Sequence, residues 1–417
     1  MNYFTPLSRR FRSGGACLFV IIVLAFAGGC HKMTIDKNDL RDFQQVNLVS
    51  NTSKYQPLLI DPSLQNAWGL FWAPTGIAWV NSQAGHVSEL YNNIPAIPAK
   101  PRPAVLIPSP VDTMGGNPTG GVFNSTKGFA LASKALSSFI FVGVDGILSA
   151  WTGTSGNKAE VIANNSKTSS YTGLTLAADG SRNLLYAANF GAGRIDVWDT
   201  TWAPVRMSFR DPAMPSGFSP FNIQVVGSWL YVTYAKVGSD GRDQAGAGLG
   251  FVDVFNTDGS FVRRFATRGS LNAPWGVTMA PGTFLEDNDM GNGDNNSGKD
   301  NHGGNGNSGS GSNNSGPGNN NGNNNGNNSG PGNLSNGRDQ TSPVILVGNF
   351  GDGHINVYTL DGTYQGQLQS HNRTIVIDGL WALGFAPVTA TTISQSWLFF
   401  TAGPDRETNG IFGYLSK

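Results

Sequence analysis

Side chains able to do chemistry are sparse and scattered in this chain of 417 residues. The histidines are His31, His86, His302, His354 and His371. None pairs as His-x-x-x-His, the spacing that sets two imidazoles on one helical face around zinc. The cysteines are Cys17 and Cys30, too few for a thiolate metal centre. No Gly-x-Ser-x-Gly turn is present to expose a nucleophilic serine. What remains is a set of Asn, Trp and Asp residues: Asn66, Trp68, Asn222, Asn272, Trp275, Asp378 and Trp381. Indole rings cover apolar faces while amides and carboxylates bond hydroxyls, so this set suits a sugar or another polar ligand with apolar faces. The competing reading of the tryptophans is packing of one repeat on the next.

These residues recur at a fixed place in a repeat. Asn189-Phe-Gly-Ala-Gly-Arg-Ile-Asp-Val-Trp198 and Asn349-Phe-Gly-Asp-Gly-His-Ile-Asn-Val-Tyr358 are near copies. Each follows an apolar run and continues with period-2 alternation, so each reads as strand, glycine turn, strand. Short motifs open each unit, with Gly69, Gly121, Gly173, Asn222, Gly276 and Ala382 as anchors. Their spacings are 52, 52, 49, 54 and 106 residues. The long gap holds an Asn/Gly/Ser tract, residues 287–341; without it about 55 residues remain. Six units of about 50 residues, each with three or four strands, predict an all-β fold, a six-bladed β-propeller. The last unit ends at Lys417 with three strands. Phe43–Val49 is strand-like and is expected to supply the missing outer strand and close the ring, which removes two exposed sheet edges.

The tract 287–341 within the fifth unit has too few apolar residues to offset chain ordering and is expected to be a disordered insert. Asp287–Asp294 hints at an acidic calcium loop but lacks the positions of an EF-hand. At the N-terminus, Arg9, Arg10 and Arg12 precede an apolar run from Ala16 to Ala27. That run suits a signal peptide better than a membrane span. Ala27-Gly28-Gly29-Cys30 resembles a lipobox, the cleavage and acylation signal of bacterial lipoproteins. The expected organisation is a signal peptide over 1–29, lipidation at Cys30, a tether over 30–42 and the propeller over 43–417. That would make the protein an exported lipoprotein of the outer membrane or facing the periplasm, with ordinary secretion as the alternative because Ala27 stands where a lipobox usually has Leu.

Net charge is zero and 13% of residues are charged, so there is no basic excess to attract nucleic acid. A monomer is expected. The glutamates are Glu89, Glu160, Glu286 and Glu407, none of them at an anchor motif. Asn47–Asn51, Asp61–Leu70 and Val347–Asn356 together resemble an uncharacterised family of exported bacterial proteins with a six-bladed propeller of the NHL type. That resemblance implies fold and export, and no catalytic residues. The expected function is a binding or interaction module for an envelope protein or glycan. The alternative is a metal-assisted lactonase or lyase with a divalent cation in the central channel, using Asn222, Asn272 and Asp378.

Overall fold

The computed structural model describes residues 35–286 and 342–417. The segment read as a signal peptide, Cys30, the first residues of the expected tether and the 287–341 tract lie outside them. The described residues form six antiparallel blades around one axis. Blade 1 runs Ala67–Trp72, Ala78–Ser82, Val87–Tyr91 and Val105–Leu106, from the axis outward. Blade 2 runs Pro118–Phe123, Phe139–Gly143, Ile147–Trp151 and Glu160–Asn164. Blade 3 has Tyr171–Asp179, Arg182–Asn189 and Arg194–Asp199. Blade 4 has Phe218–Val226, Trp229–Val237, Gly250–Phe255 and Phe261–Thr267. Blade 5 has Pro274–Ala280, Val344–Asn349, Ile355–Tyr358 and Tyr364–Gln367, and its first two strands flank residues 287–341. Blade 6 has Leu380–Gly384, Leu398–Ala402 and Ile411–Ser416.

The ring closes as the unpaired strand-like segment predicts. Gln44–Ser50 pairs antiparallel with Ile411–Ser416, so the two ends of the described propeller share one sheet. Leu59–Ile60 adds a short parallel strand outside it. Blade 3 has three strands, the lower end of the expected three or four. Its outer segment reaches the sheet through the Trp198–Pro204 bridge and the backbone bonds from Val205 N to Val197 O and from Asp199 N to Ala203 O. Pro204 has no N–H to continue a ladder.

The anchor residues mark a shared backbone device. In every blade the register between the first and second strands shifts at the anchor, for example between Ala67 and Leu70 or Pro274 and Val277. The same bulge recurs at Gly121, Gly173, Asn222 and next to Ala382. A bulge bends its strand and re-aims the chain. Here the six innermost strands also come within contact of one another. A Cβ on Gly276 would lie 2.7 Å from the Trp381 carbonyl oxygen, and one on Gly69 would overlap the Thr119 carbonyl oxygen.

Among the described residues one apolar cluster fills each blade junction. Phe71, Trp79 and Leu90 of blade 1 meet Phe139, Phe141 and Trp151 of blade 2. Equivalent clusters join blades 2 and 3, 3 and 4, 4 and 5, 5 and 6, and 6 and 1. The segment read as a tether differs from expectation at its end. Lys37–Leu40 is a 3-10 turn, and Leu40 and Phe43 are buried against Phe284, Leu368 and Leu415. Burying these two apolar side chains removes their surface from water, which holds residues 35–43 on the propeller.

Gly69→Ala should therefore cost about 1–3 kcal/mol through backbone overpacking. Gly153→Ala, where an added Cβ meets nothing within 4 Å, should stay within about 0.5 kcal/mol. Denaturant midpoints of the two variants check this, and equal shifts would contradict the crowded axis.

Candidate functional site at the channel mouth

The strands beginning at the axis and the connections between second and third strands open on the same face. Each blade sends a residue from that connection toward the axis: Gln83, Val144, Phe190, Arg242, Phe350 and Glu407. The innermost strands add Trp68, Phe221, Trp275 and Trp381. The rings close the channel. Trp381 is sandwiched between Trp68 at 3.5 Å and Phe350 at 3.9 Å, both nearly parallel to it. Trp275 meets Trp68 and Trp381 edge-on, and Phe221 links Trp381 to Phe190. Such offset and edge contacts add to the gain from burial. The repeated Asn-Phe-Gly motif therefore has an axial role: its Phe190 and Phe350 belong to this plug.

On the plug lies a pocket of about 360 Å³. Its floor is Trp68, Phe190 and Phe221, and its polar wall is Gln83, Ser170, Thr172, Arg242, Asp243 and Glu407. Arg242 comes from the loop of blade 4 and reaches Glu407 of blade 6 at 2.6 Å, an ion pair across the mouth. Glu407 also accepts from Asn66 Nδ2 at 3.2 Å. Beyond the plug, a second space of about 350 Å³ is bounded by the innermost strands, including Gly120, Leu174, Asn222 and Trp275.

The residues singled out in the sequence separate into four places. Asn66 and Trp68 are at the mouth; Asn66 is buried, accepts from Trp381 Nε1 at 2.8 Å and donates to Gln83 at 3.0 Å. Trp275 and Trp381 are buried in the plug, with the Trp275 indole N–H donated to Thr172 O at 2.9 Å. Asn222 is on the channel wall, donating to Trp275 O and accepting from Ile223 N. Asn272 and Asp378 hold loops: Asn272 accepts from Gly246 N and donates to Asp352, and Asp378 accepts from Asp405 N. Asn222, Asn272 and Asp378 thus do not converge on one point. The structure adds Arg242, Asp243 and Glu407, which come from second-to-third strand connections rather than from anchor motifs.

Glu407 is carried on a strained turn. Asp405, Arg406 and Glu407 all have positive φ, 55°, 57° and 67°, in the left-handed region. Side chains other than Gly cost about 1–2 kcal/mol each there. The turn is tied down through Asp405, which takes Lys54 Nζ at 2.7 Å, Tyr55 Oη at 2.5 Å and Asn409 Nδ2 at 2.7 Å. The hydrogen bonds from Lys54 and Tyr55 hold the Asp405 carboxyl down to about 2. Strain kept in place by surrounding contacts clusters at sites that work.

Half-buried Asp243 has the opposite shift. Burial, reinforced by nearby Glu407, pushes its carboxyl up to about 6. Glu407 and Asp243 are the carboxylates a cation would use at the mouth, and it would have to displace the Arg242 guanidinium. Among the described residues no three His, Cys, Asp or Glu side chains come together as a metal-holding group.

With this geometry in hand, known proteins offer a partial comparison. The chain matches no protein-family model. An uncharacterised protein of Acanthamoeba polyphaga mimivirus is 27% identical over 388 residues, covering 89% of this chain and 79% of its own length. A second uncharacterised protein of that virus is 31% identical over 258 residues, covering 59% of this chain and 51% of its own. These relatives are viral, whereas the sequence resemblance is to exported bacterial proteins. Among solved structures, a streptogramin B lyase has a TM-score of 0.43 at 10% identity, covering 90% of this chain and 97% of its own. A gluconolactonase from Xanthomonas campestris has a TM-score of 0.42 at 11% identity, covering 84% and 86%.

Two outcomes follow from the mouth. Arg406 is exposed, so Arg406→Gly removes a left-handed non-glycine and should raise stability by up to about 1 kcal/mol in denaturant titration. Asp243 has a folded pKa above its unfolded value, so the folded state binds the extra proton between about pH 4 and pH 6. Its contribution to stability is therefore present below about pH 4 and is lost as pH rises through about 6. Asp243→Asn should flatten that fall, read as denaturant midpoints at the two ends of the window.

Proposed function

We propose that this β-propeller is an exported, lipid-anchored binding module that takes an envelope ligand, protein or glycan, at the mouth of its axial channel. The observation that carries the reading is the pocket itself. A rigid aromatic floor and a polar wall drawn from blades 1, 3, 4 and 6 converge on one concave space. Convergent polar groups over an apolar base are what a preformed binding site requires. Export and anchoring rest on the lipobox-like run before Cys30 and on the resemblance to exported bacterial proteins.

The second reading, a metal-assisted lactonase or lyase, draws support from Glu407 and Asp243 rather than from Asn222, Asn272 and Asp378. It asks for a divalent cation in place of the Arg242 guanidinium. Measured metal content of the purified protein, and its dependence on Glu407→Gln, separates the two.

The binding reading predicts that purified protein retains a defined component of cell-envelope extract. The Arg242→Ala, Glu407→Ala double variant should lose that component while keeping its unfolding midpoint within about 1 kcal/mol, because exposed ion pairs contribute little to stability. Equal retention by wild type and double variant would overturn the mouth as the site. Separately, Cys30→Ser should move the protein from the membrane fraction to the soluble fraction; unchanged membrane association would remove the anchor.

A further inference from the structure

We infer that the mouth pocket recognises the pyranose ring of a glycan through an adjacent pair of hydroxyls, with a ring or hydroxyl oxygen accepting from the Trp68 indole N–H. This deepens the binding reading above and rests on it. Three observations carry it.

First, the plug leaves one indole donor unused. The N–H of Trp381 goes to Asn66 and that of Trp275 to Thr172 O. The Trp68 N–H has no hydrogen-bond partner among the described residues, although Trp68 is only 4% exposed and lines the pocket. A buried donor without a partner costs free energy that an acceptor oxygen on a ligand recovers. An organic ammonium has no acceptor to offer and an aliphatic chain has none either. A hydroxyl or ring oxygen does.

Second, the ion pair across the mouth presents donors and acceptors side by side. The Arg242 guanidinium has N–H groups beyond the one given to Glu407, and the Glu407 carboxylate has unused lone pairs. Two neighbouring hydroxyls match that pattern, one donating to the carboxylate and the other accepting from the guanidinium. The charges also offset each other. The pocket is therefore not strongly anionic, which argues against a cation as its natural occupant.

Third, the floor is flat and preorganised. Trp68 is stacked on Trp381, itself backed by Phe350, so the indole cannot swing away. The indole N–H is thereby held in place for a ligand oxygen without further loss of side-chain freedom.

The test uses the full-length protein in a detergent without a sugar headgroup, titrated with methyl glycosides of glucose, galactose, mannose and N-acetylglucosamine and followed by calorimetry and tryptophan fluorescence. At least one glycoside should bind. Its analogue lacking one of the two adjacent hydroxyls should bind about tenfold more weakly, as should the parent glycoside to Arg242→Lys, which keeps the charge and loses the fork. Trp68→Phe keeps a ring on the floor and removes the donor, and should weaken binding about five- to tenfold. Arg242 is 62% exposed, so its variant tests the idea even if Trp68→Phe disturbs folding. Binding that ignores both variants would overturn the assignment. If no glycoside binds, but an envelope protein or tetramethylammonium does so in an Arg242-dependent manner, the sugar is wrong and the mouth stands. If none of these probes binds, both readings fall.

Discussion

Six sheets that share an axis must bring six innermost strands within contact of one another, and this crowding governs the rest of the molecule. It requires glycine at most of the anchors, because a Cβ at Gly69, Gly173 or Gly276 would run into the neighbouring blade. The bulge at each anchor turns the strand as it leaves the axis. The space left where the strands begin is filled by aromatic rings from blades 1, 3, 4, 5 and 6, with Val144 packing from blade 2. The plug therefore links blades distant in sequence, and the Gln44–Ser50 strand completes the ring on the outside.

The same constraint supplies the site. Once the axis is sealed, the second-to-third strand connections project over a fixed aromatic base, and variation in them costs the fold little. Blades 4 and 6 use that freedom to carry Arg242, Asp243 and Glu407. The strained turn at 405–407 is held from outside by Lys54 and Tyr55, residues that follow the closing strand. Ring closure and placement of Glu407 are thus supported by the same stretch of chain. Deeper in the blades, third-strand acids are neutralised rather than displayed. Glu89 and Asp61 share Lys100 at 2.7 and 2.8 Å, and Asp253 and Asp211 share Arg264. Burial pushes Asp253 up to about 7, and these groups act as internal locks rather than as part of the mouth.

The architecture was legible because its cause is periodic. Apolar alternation, the glycine turns of the near-copy motifs and the spacing of Gly69, Gly121, Gly173 and Gly276 all report a repeated sheet, and Phe43–Val49 stands out as a strand without a sheet. The site was legible only in part. Asn66 and Trp68 sit at anchor motifs and do reach the pocket. Trp275 and Trp381 sit at equivalent positions and are consumed by the plug, since ring stacking across blades has no signature in local spacing. Arg242, Asp243 and Glu407 lie in connections that differ between blades, so no repeat points to them. One signal was available: Phe190 and Phe350 occupy the same place in two copies, and a large apolar residue fixed in a glycine turn marks the chain facing something buried.

The central claim is that the mouth over the aromatic plug, between Arg242 and Glu407, is where this protein meets its ligand. The most direct measurement is a crystallographic difference map of the protein soaked with an envelope oligosaccharide that it retains. The account predicts density beside Trp68, within hydrogen-bond distance of its indole N–H and of the Arg242–Glu407 pair. Density in the space beyond the plug, beside Asn222, with the mouth unaltered, would contradict it.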